Sequence, residues 1–446
     1  MRKLIDTIKN IWNIEDLRNR LLVTLGILAI YRFGSFVVIP GVDPSQLAAL
    51  QDQTADGLLG LLNMFTGGAF SQASIFALGI MPYISASIVI QLLGMAIPYF
   101  QKLQKEGESG RRKINNITRY LTILITGGQA PGYIANLKAT LPDSAFLLAP
   151  GTFWMSSIII LVTGTMFVMW LGEKITDRGV GNGISLLIMI GIIAALPQSF
   201  MQEFVSALGS AGGGLVMFMV IMLALLIVIT ISILLVQGTR RIPVQYAKRV
   251  VGNKQYGGVR QFIPLKVNAA GVMPIIFAQA IMFVPITLVG FSDNESLQGI
   301  ARVLTDFGGF WYNLMFFVMI VLFTYFYTAM TVNPNQMADD MKKNGGFIPG
   351  IKPGRSTAEY LDSVMSKITL PGSLFLGLVA ILPAFAMAGG INVQFAQFYG
   401  GTSLLILVGV ILDTLQQIES HLLMRHYDGL MDSGRIKGKS SGGSMM

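Results

Sequence analysis

The sequence predicts an all-α polytopic membrane protein, and three observations lead to that prediction. Of its 446 residues, 53% are hydrophobic and only 12% are charged, whereas soluble domains carry about 25% charged residues. Apolar runs recur along the chain, and many reach the roughly 20 residues that an α-helix needs to cross a bilayer. The basic residues cluster between alternate runs. We therefore interpret the chain as a series of membrane spans joined by loops.

Ten spans follow from the apolar runs in chain order. Their approximate bounds are 21–39, 74–97, 114–136, 152–171, 184–201, 215–236, 271–290, 311–331, 369–388 and 401–423. A glycine-rich loop, Ala211-Gly212-Gly213-Gly214, separates the first five spans from the last five. We therefore expect an N-terminal half over 1–210, a C-terminal half over 211–430 and a flexible basic tail over 431–446.

The lysines and arginines predict the topology of the spans. All but three of the 32 lie in the N-terminal segment, in every second loop or in the tail, and the exceptions are Arg32, Lys138 and Arg302. Because basic loops remain in the cytoplasm, both termini and the even-numbered loops are predicted to be cytoplasmic. The net charge of +9 is then mainly a topology signal. An odd number of spans would break the alternation, which supports a count of ten.

The chain is organised around the stretch from Asn63 to Gln91. A short apolar segment, Leu58 to Phe65, precedes a glycine pair at 67 and 68, and a second apolar run continues through Ile97. The first segment is too short to span a bilayer, and the glycines allow the chain to bend after it. Non-helical backbone at membrane depth persists only when it is buried in protein or lines a watery cavity. The stretch therefore indicates a channel or transporter; the alternative is a re-entrant or interfacial loop that serves packing alone.

The residue types argue against several kinds of chemistry. Cysteine is absent and histidine occurs only twice, so neither a thiol nucleophile nor a zinc site is expected. Ser403 and His421 lie about 27 Å apart on one predicted helix at about 1.5 Å per residue, too far for a serine and its base. The run Gly179-Val180-Gly181-Asn182-Gly183 lacks the spacing of a dinucleotide-binding loop and predicts a tight turn. We expect no enzyme activity, cofactor or metal.

A secondary transporter is the alternative function that the spans leave open. Such proteins usually keep ionisable residues at mid-membrane for ion coupling, and the clear candidates here are Arg32 and Asp413. Neither lies in a broken helix. The apolar character of the predicted pathway suits a sealing pore better than a substrate-selective site, so the sequence favours a channel.

Two loops, at about 237–267 and 331–368, are much longer than typical helix connections of about 2–8 residues. In the first loop, Ile242, Val244 and Tyr246 alternate with polar neighbours, a pattern typical of a short β-hairpin. Long ordered loops on a membrane face usually carry function. The alternative is that their basic residues serve topology alone.

Sequence blocks distributed over the whole chain resemble the SecY family, whose members form the central channel of the bacterial protein translocase. In family order they are 63–91, 105–113, 162–167, 169–173, 178–185, 265–268, 347–351 and 400–405. Together these blocks are highly specific. The resemblance implies two five-helix halves, related by a pseudo-two-fold axis in the membrane plane, in the bacterial cytoplasmic (inner) membrane. It also implies that unfolded secretory polypeptides pass across the membrane, that hydrophobic segments leave sideways into lipid, and that a partner supplies the energy.

The resemblance assigns roles to particular residues of this sequence. A plug at about 58–70 would contain Leu58, Leu61, Leu62 and Phe65, with Gly67 and Gly68 as its hinge. A pore ring would consist of Ile80, Ile84, Ile188, Ile276 and Ile406. Residues four apart share a helix face, which suits the first pair of the ring, and a narrow apolar constriction holds water poorly and blocks ions. The alternative is that these isoleucines simply face lipid.

A lateral exit is implied between the second and seventh spans. The polar residues near that seam are Ser85, Gln91 and Asn268. Contacts between polar side chains of neighbouring spans contribute about 0.6–2 kcal/mol, weak enough for a signal helix to part them. Gln91 and Asn268 could equally be ordinary packing contacts or interfacial residues.

The two long loops would form the surface on which the family docks its soluble partners. The expected partners are a SecA-type motor ATPase, the ribosome, small SecE-like and SecG-like membrane subunits, unfolded signal-bearing polypeptides and the lipid bilayer. The candidate docking residues are Arg240, Arg241, Lys248, Arg249, Lys352 and Arg355. Lys352 stands where the family typically has arginine, and lysine lacks the planar fork that binds carboxylates with two hydrogen bonds. Arg355, three residues on, could supply that fork. Because the sequence departs from the family pattern here, we expect this interface to be tuned to its own partner.

Overall fold

The structure is a computed structural model that describes residues 12, 14–53, 57–209, 214–246, 249–251, 254–256, 260–289, 306 and 308–432. Its α-helices, in chain order, are α1 (Glu15–Gly34), α2 (Ala48–Gln53), α3 (Gly57–Phe65), α4 (Met81–Ala96), α5 (Pro98–Lys105), α6 (Glu108–Thr140), α7 (Pro150–Arg178), α8 (Gly183–Gly209), α9 (Gly214–Gln237), α10 (Met273–Val289), α11 (Phe310–Thr331), α12 (Pro334–Lys343), α13 (Arg355–Ala388), α14 (Val393–Ala396) and α15 (Gly401–Asp432). The strands are β1 (Thr239–Tyr246), β2 (Arg249–Val251), β3 (Lys254–Tyr256), β4 (Arg260–Lys266) and β5 (Gly346–Phe347). Short 3₁₀ helices cover Pro44–Gln46 and Asp143–Ala145.

Each of the ten predicted spans falls on one of these helices, so the polytopic helical fold is confirmed. They are α1, α4, α6, α7, α8, α9, α10, α11, α13 and α15. Within the described residues, six helices are long and apolar enough on their own to cross a membrane, and α4 with α5 forms a pair bent by 102° that could be a seventh. The remaining helices carry more polar residues or are shorter, and they depend on their neighbours for a place in the bundle.

The start of the second span was predicted wrongly. The apolar run predicts a helix from about residue 74, but residues 66–80 form turns and α4 begins only at Met81, with Pro82 in its first turn. Proline is favoured there because its missing N–H has no helical partner at that position. Hydropathy alone cannot separate the two conformations, since both bury the same apolar residues.

Long-range hydrogen bonds explain why this apolar segment stays out of the helix. The Ile75 amide donates to the Val37 carbonyl at 2.9 Å, and the Ile39 amide donates to the Ala73 carbonyl at 2.8 Å. The first predicted span also ends earlier than expected, at Gly34 and not near residue 39, because the residues after it pair with the turn segment. The non-helical backbone of this apolar segment is thus hydrogen-bonded to protein, as burial in a membrane would require.

The two long loops pack together into one unit that contains a small antiparallel sheet. Strand β1 pairs with β4 from Thr239 opposite Lys266 to Gln245 opposite Arg260, and β5 from the second loop adds to the other edge of β1. The predicted alternation is confirmed, since Ile242 and Val244 are buried on one face. That face packs on apolar side chains of α12 and α13. An otherwise all-α protein therefore carries a β-structured platform.

The glycine-rich run between α7 and α8 is the predicted tight turn. Gly181 adopts a φ of +87°, which favours glycine. Its amide donates to the Gln417 side chain of α15 at 2.9 Å, and the Val180 amide donates to Thr24 Oγ1 of α1 at 3.0 Å. The turn thus ties the first and last long helices to the middle of the chain.

Candidate functional site

Helix α3 is a nine-residue helix closed by a glycine motif, and the sequence accounts for its end. The Gly68 amide donates to the Asn63 carbonyl at 2.8 Å, and the Gly67 amide donates to the Met64 carbonyl at 3.1 Å. This pair of bonds defines a Schellman motif, which requires a left-handed residue after the helix. Gly67 supplies it with φ of +66°, and Gly68 follows with +87°. The predicted bend is therefore present.

Side chains stiffen the turn that follows α3. The Ser71 amide donates to Asn63 Oδ1 at 2.9 Å, and Thr66 Oγ1 donates to the Asn63 carbonyl at 3.1 Å. Tyr133 of α6 donates its hydroxyl to the Phe70 carbonyl at 2.9 Å. The bend is consequently a defined turn with its backbone groups occupied.

The end of α3 is held from three sides. On α8, a Cβ added at Gly191 would lie 2.8 Å from the Phe65 carbonyl oxygen, so only glycine allows this approach. On α15, Ser403 Oγ lies 3.1 Å from Met64 Sδ. On α1, Arg32 Nη1 donates to the Gly67 carbonyl at 2.6 Å. The apolar residues predicted for this segment are only partly described: Leu62 and Phe65 are buried, whereas the side chains of Leu58 and Leu61 lie outside the described part.

Gly191 is a residue that sequence reasoning missed. It stands alone between Ile190 and Ile192 in an apolar helix, and small residues in membrane helices commonly mark close helix contacts. That signal identifies a contact but not its partner. Arg32 was noticed only as an ionisable residue inside a span, and the carbonyl that it binds could not be foreseen.

The five predicted ring isoleucines belong to one hydrophobic cluster, which the end of α3 also enters. They come from the start of α4 and from α8, α10 and α15. Ile80, Ile84, Ile188 and Ile406 are buried, and Ile276 is partly buried against the same cluster. Met64 and Phe65 of α3 are members of it too. Four helices and α3 therefore converge on one apolar region, across chain separations of more than 300 residues.

A polar cavity of about 400 Å³ adjoins the end of α3. Its lining includes Arg32, Asn63, Gln198 and Gln397, together with the Gly67–Gly68 turn. Uncharged amides dominate this wall, in contrast to the isoleucine cluster. The end of α3 thus lies between an apolar region and a polar one.

The three residues predicted at the lateral seam do not share one hydrogen-bond network. Ser85 Oγ donates to the Met81 carbonyl at 3.2 Å, and Gln91 Nε2 donates to Ser87 Oγ at 3.1 Å, both within α4. Asn268 is buried, and its Oδ1 accepts no hydrogen bond. Helix α4 packs extensively on α6 but only sparsely on α10. The described contact between α4 and α10 is sparse, and both helices contribute apolar side chains to one hydrophobic cluster.

The predicted docking residues are exposed where they are described. Arg240 and Arg241 lie on β1, Lys352 lies in the turn before α13, and Arg355 is the first residue of α13. Arg355 Nε pairs with Glu359 Oε1 at 3.0 Å, but its side chain is 93% exposed, and such surface pairs contribute little. Lys248 lies outside the described residues. Arg249 is part of β2, and its side chain is not described.

No cluster of three or more histidine, cysteine, aspartate or glutamate side chains placed to hold a metal ion occurs in the described part of the chain.

The comparisons with family models, curated relatives and solved structures are consistent with one another. A family model described as SecY matches residues 74–415. The chain is 45% identical over 433 residues to the protein translocase subunit SecY of Streptomyces coelicolor, covering 93% of this chain and 97% of that protein. It is 44% identical over 430 residues to the subunit of the same name from Haemophilus influenzae, covering 95% and 96%. Among solved structures, a protein-conducting channel aligns with a TM-score of 0.61 at 18% identity, covering 90% of this chain and 92% of that chain. Sec61 in a canine ribosome–channel complex from the endoplasmic reticulum aligns with a TM-score of 0.57 at 17% identity, covering the same two shares.

Proposed function

The chain belongs to the SecY family, and on that premise we propose how its parts divide the work of a protein-conducting channel. It passes unfolded secretory polypeptides across the membrane and releases hydrophobic segments sideways into lipid. The observation that carries the proposal is the meeting of α3 with the isoleucine cluster. A short helix that cannot span the membrane ends against an apolar constriction built from four spanning helices. No finding supports the alternative of a secondary transporter.

Helix α3 and the turn after it act as the plug, and the five isoleucines act as the pore ring. The apolar ring resists wetting when it is narrow, so it limits ion flow without binding a passing peptide strongly. The plug adds a second seal, because its buried side chains fill the same region. The polar cavity beside α3 then lies on the outer side of this seal, and Gly67 with Gly68 forms the point about which the plug swings.

The chain is divided into two halves, 1–210 and 211–430, that open like a clamshell. Support comes from the break between α8 and α9, and from the sparse contact between α4 and α10. The lateral exit lies along that sparse seam. The predicted basic tail of 431–446 begins within the last two residues of α15, and residues 433–446 lie outside the described part.

The protein is a multi-pass membrane protein, and we assign it to the bacterial cytoplasmic (inner) membrane with both termini in the cytoplasm. The charge distribution supports this orientation. The platform of the two long loops then faces the cytoplasm, where it docks a SecA-type motor or the ribosome. Structures of relatives bound to ribosomes support the second of these partners. SecE-like and SecG-like subunits pack against the spans, and the motor or ribosome supplies the energy, so the chain itself performs no catalytic step.

The test of the channel function is reconstitution. Proteoliposomes that contain the chain with its small subunits are expected to protect a secretory precursor from added protease only when motor and ATP are present. Vesicles without the chain, and a precursor without its signal, serve as controls. Ion-driven uptake of a small solute in the absence of motor and ATP would instead revive the transporter hypothesis.

A covalent bridge across the lateral seam is expected to block insertion. The chain has no cysteine, so one cysteine on α4 and one on α10 form a unique pair. Crosslinking that pair should stop a signal-bearing segment from entering lipid, because the seam can no longer part. A matched pair on α4 and α6, which pack extensively within one half, should crosslink without this effect. If no pair on α4 and α10 crosslinks in any state, the exit lies elsewhere.

A further inference from the structure

We infer that Tyr31 and Arg32 form a carbonyl clasp that holds α3 in its seated position. Both residues belong to the last turn of α1, and they donate to two successive carbonyls at the end of α3. The inference rests on the proposed role of α3 as the plug. It assigns a positioning role to an intramembrane arginine that neither ion coupling nor topology explains.

The clasp binds the carbonyls of Thr66 and Gly67, the two residues that directly follow α3 and lie beyond the bonds of the helix itself. The Schellman motif occupies the Asn63 and Met64 carbonyls. The Thr66 carbonyl receives only long bonds, from the Ala69 amide at 3.4 Å and the Tyr31 hydroxyl at 3.3 Å. The Gly67 carbonyl receives Arg32 at 2.6 Å. A carbonyl without a donor is costly away from water, so the clasp favours the seated end of α3.

The surroundings of Arg32 stabilise its positive charge at this position. It lies at the C-terminal end of α1, where the helix dipole stabilises a cation. Its guanidinium carbon lies 5.2 Å from the centroid of the Phe36 ring, within cation–π range. No carboxylate in the described part of the chain forms an ion pair with it, and it lines the polar cavity. The polar group of the protein that the Arg32 guanidinium contacts is thus the Gly67 carbonyl. Because arginine stays protonated in proteins, Arg32 continues to need such an acceptor.

The clasp and Gly191 contact the same turn, the one that follows α3 at Gly67. A Cβ added at Gly67 would lie 2.6 Å from Arg32 Nη1 and 3.0 Å from the Gly191 Cα. The turn is therefore fixed between α1 and α8 with no room for a side chain. When α3 leaves, the guanidinium loses its charge-assisted bond, and this loss sets part of the threshold for opening.

The first test replaces the guanidinium. Arg32→Gln is expected to raise the resting ion conductance of the reconstituted channel roughly tenfold to hundredfold, the range for a hydrogen bond to a charged group. Arg32→Lys loses the planar fork but keeps the charge and N–H donors for the single bond to the Gly67 carbonyl, so its conductance should lie close to that of the parent channel. Arg20→Gln, at the other end of α1 in an exposed pair with Asp16, should leave the conductance unchanged. Equal leak from the lysine and glutamine variants would overturn the clasp.

The second test asks whether the leak comes from departure of α3. Cysteines at Met64 and Ser403, whose side chains touch in the parent, allow a short thiol crosslinker to lock α3 in place. Locking should return the Arg32→Gln channel to the parent conductance. A leak that persists in the locked channel would overturn the clasp, because Arg32 would then act on the pathway by another route.

The third test separates the clasp from the plug. Deleting 57–67 is expected to raise the resting conductance and to remove any further effect of Arg32→Gln. If the deletion leaks and Arg32→Gln does not, the clasp fails and the plug stands; if neither leaks, the plug role itself fails.

A fourth test removes the contact on α8. Gly191→Val should displace α3 while Arg32 is intact. Its control is Gly127→Val, at a helical glycine with open space around it. If the Gly191→Val channel keeps the low resting conductance of the parent, the close contact between α3 and α8 is not needed to hold α3, which would count against the clasp.

Discussion

Reversing Arg240 and Arg241 to glutamate is expected to abolish motor-driven export while the channel still assembles. Both side chains are exposed on β1, whereas the neighbouring Ile242 and Val244 hold the strand to its core. The reversal therefore leaves the sheet register intact and changes only the outward charge. Like charges placed opposite each other at an interface cost several kcal/mol, so we expect motor affinity to fall at least a hundredfold.

The measurement is motor binding and ATP-dependent precursor protection with purified components. Arg240→Lys with Arg241→Lys should retain most of the activity. Arg112→Glu, on an exposed residue of α6 outside the platform, serves as the matched reversal. Normal motor-stimulated transport by the double reversal would show that these arginines do not carry docking.

The same reversal in the second loop, Lys352→Glu with Arg355→Glu, tests the other half of the platform. Arg355 loses its pair with Glu359, and two glutamates four apart on a helix cost only a few tenths of a kcal/mol. The fold should tolerate the change, and any loss of export then reports on docking. Because β5 joins β1, we expect both reversals to impair the same partner.

Replacing Ile84, Ile188 and Ile406 with serine is expected to make the resting channel leak ions. The three side chains are buried in the cluster that the end of α3 enters, and they come from three different helices. Serine hydroxyls wet a constriction that β-branched apolar side chains keep dry. Planar-bilayer conductance without precursor measures the leak, and precursor protection measures whether transport survives.

Two controls separate a seal from ordinary packing. The same three positions changed to valine keep an apolar, β-branched surface at a typical cost of about 0.5–1.5 kcal/mol per site, and should stay tight. Ile159→Ser, on a residue of α7 that is 62% exposed, removes an isoleucine that faces away from the cluster. Unchanged conductance of the triple serine channel would argue that the isoleucines serve packing alone.

The sequence alone determined the spans, because the properties that place them are local. Each apolar run must be hidden from water wherever it occurs, and each basic loop opposes transfer across the bilayer by itself. The same holds for Ile242 and Val244, whose alternation with polar neighbours predicted a strand. The glycine pair at 67 and 68 likewise predicted a bend, because few other residues adopt left-handed backbone.

Only the tertiary structure decided where α4 begins, what holds α3 and how the platform is assembled. The turn segment before Met81 is as apolar as a helix, and hydrogen bonds to Val37 and Ile39 decide its conformation. Arg32 and Gly67 are 35 residues apart, and Gln245 of β1 pairs with Phe347 of β5 about a hundred residues later. A pattern in one segment reports what that segment must bury. It does not report which distant carbonyl, glycine or strand edge will satisfy it, since those partners meet only when the helices pack.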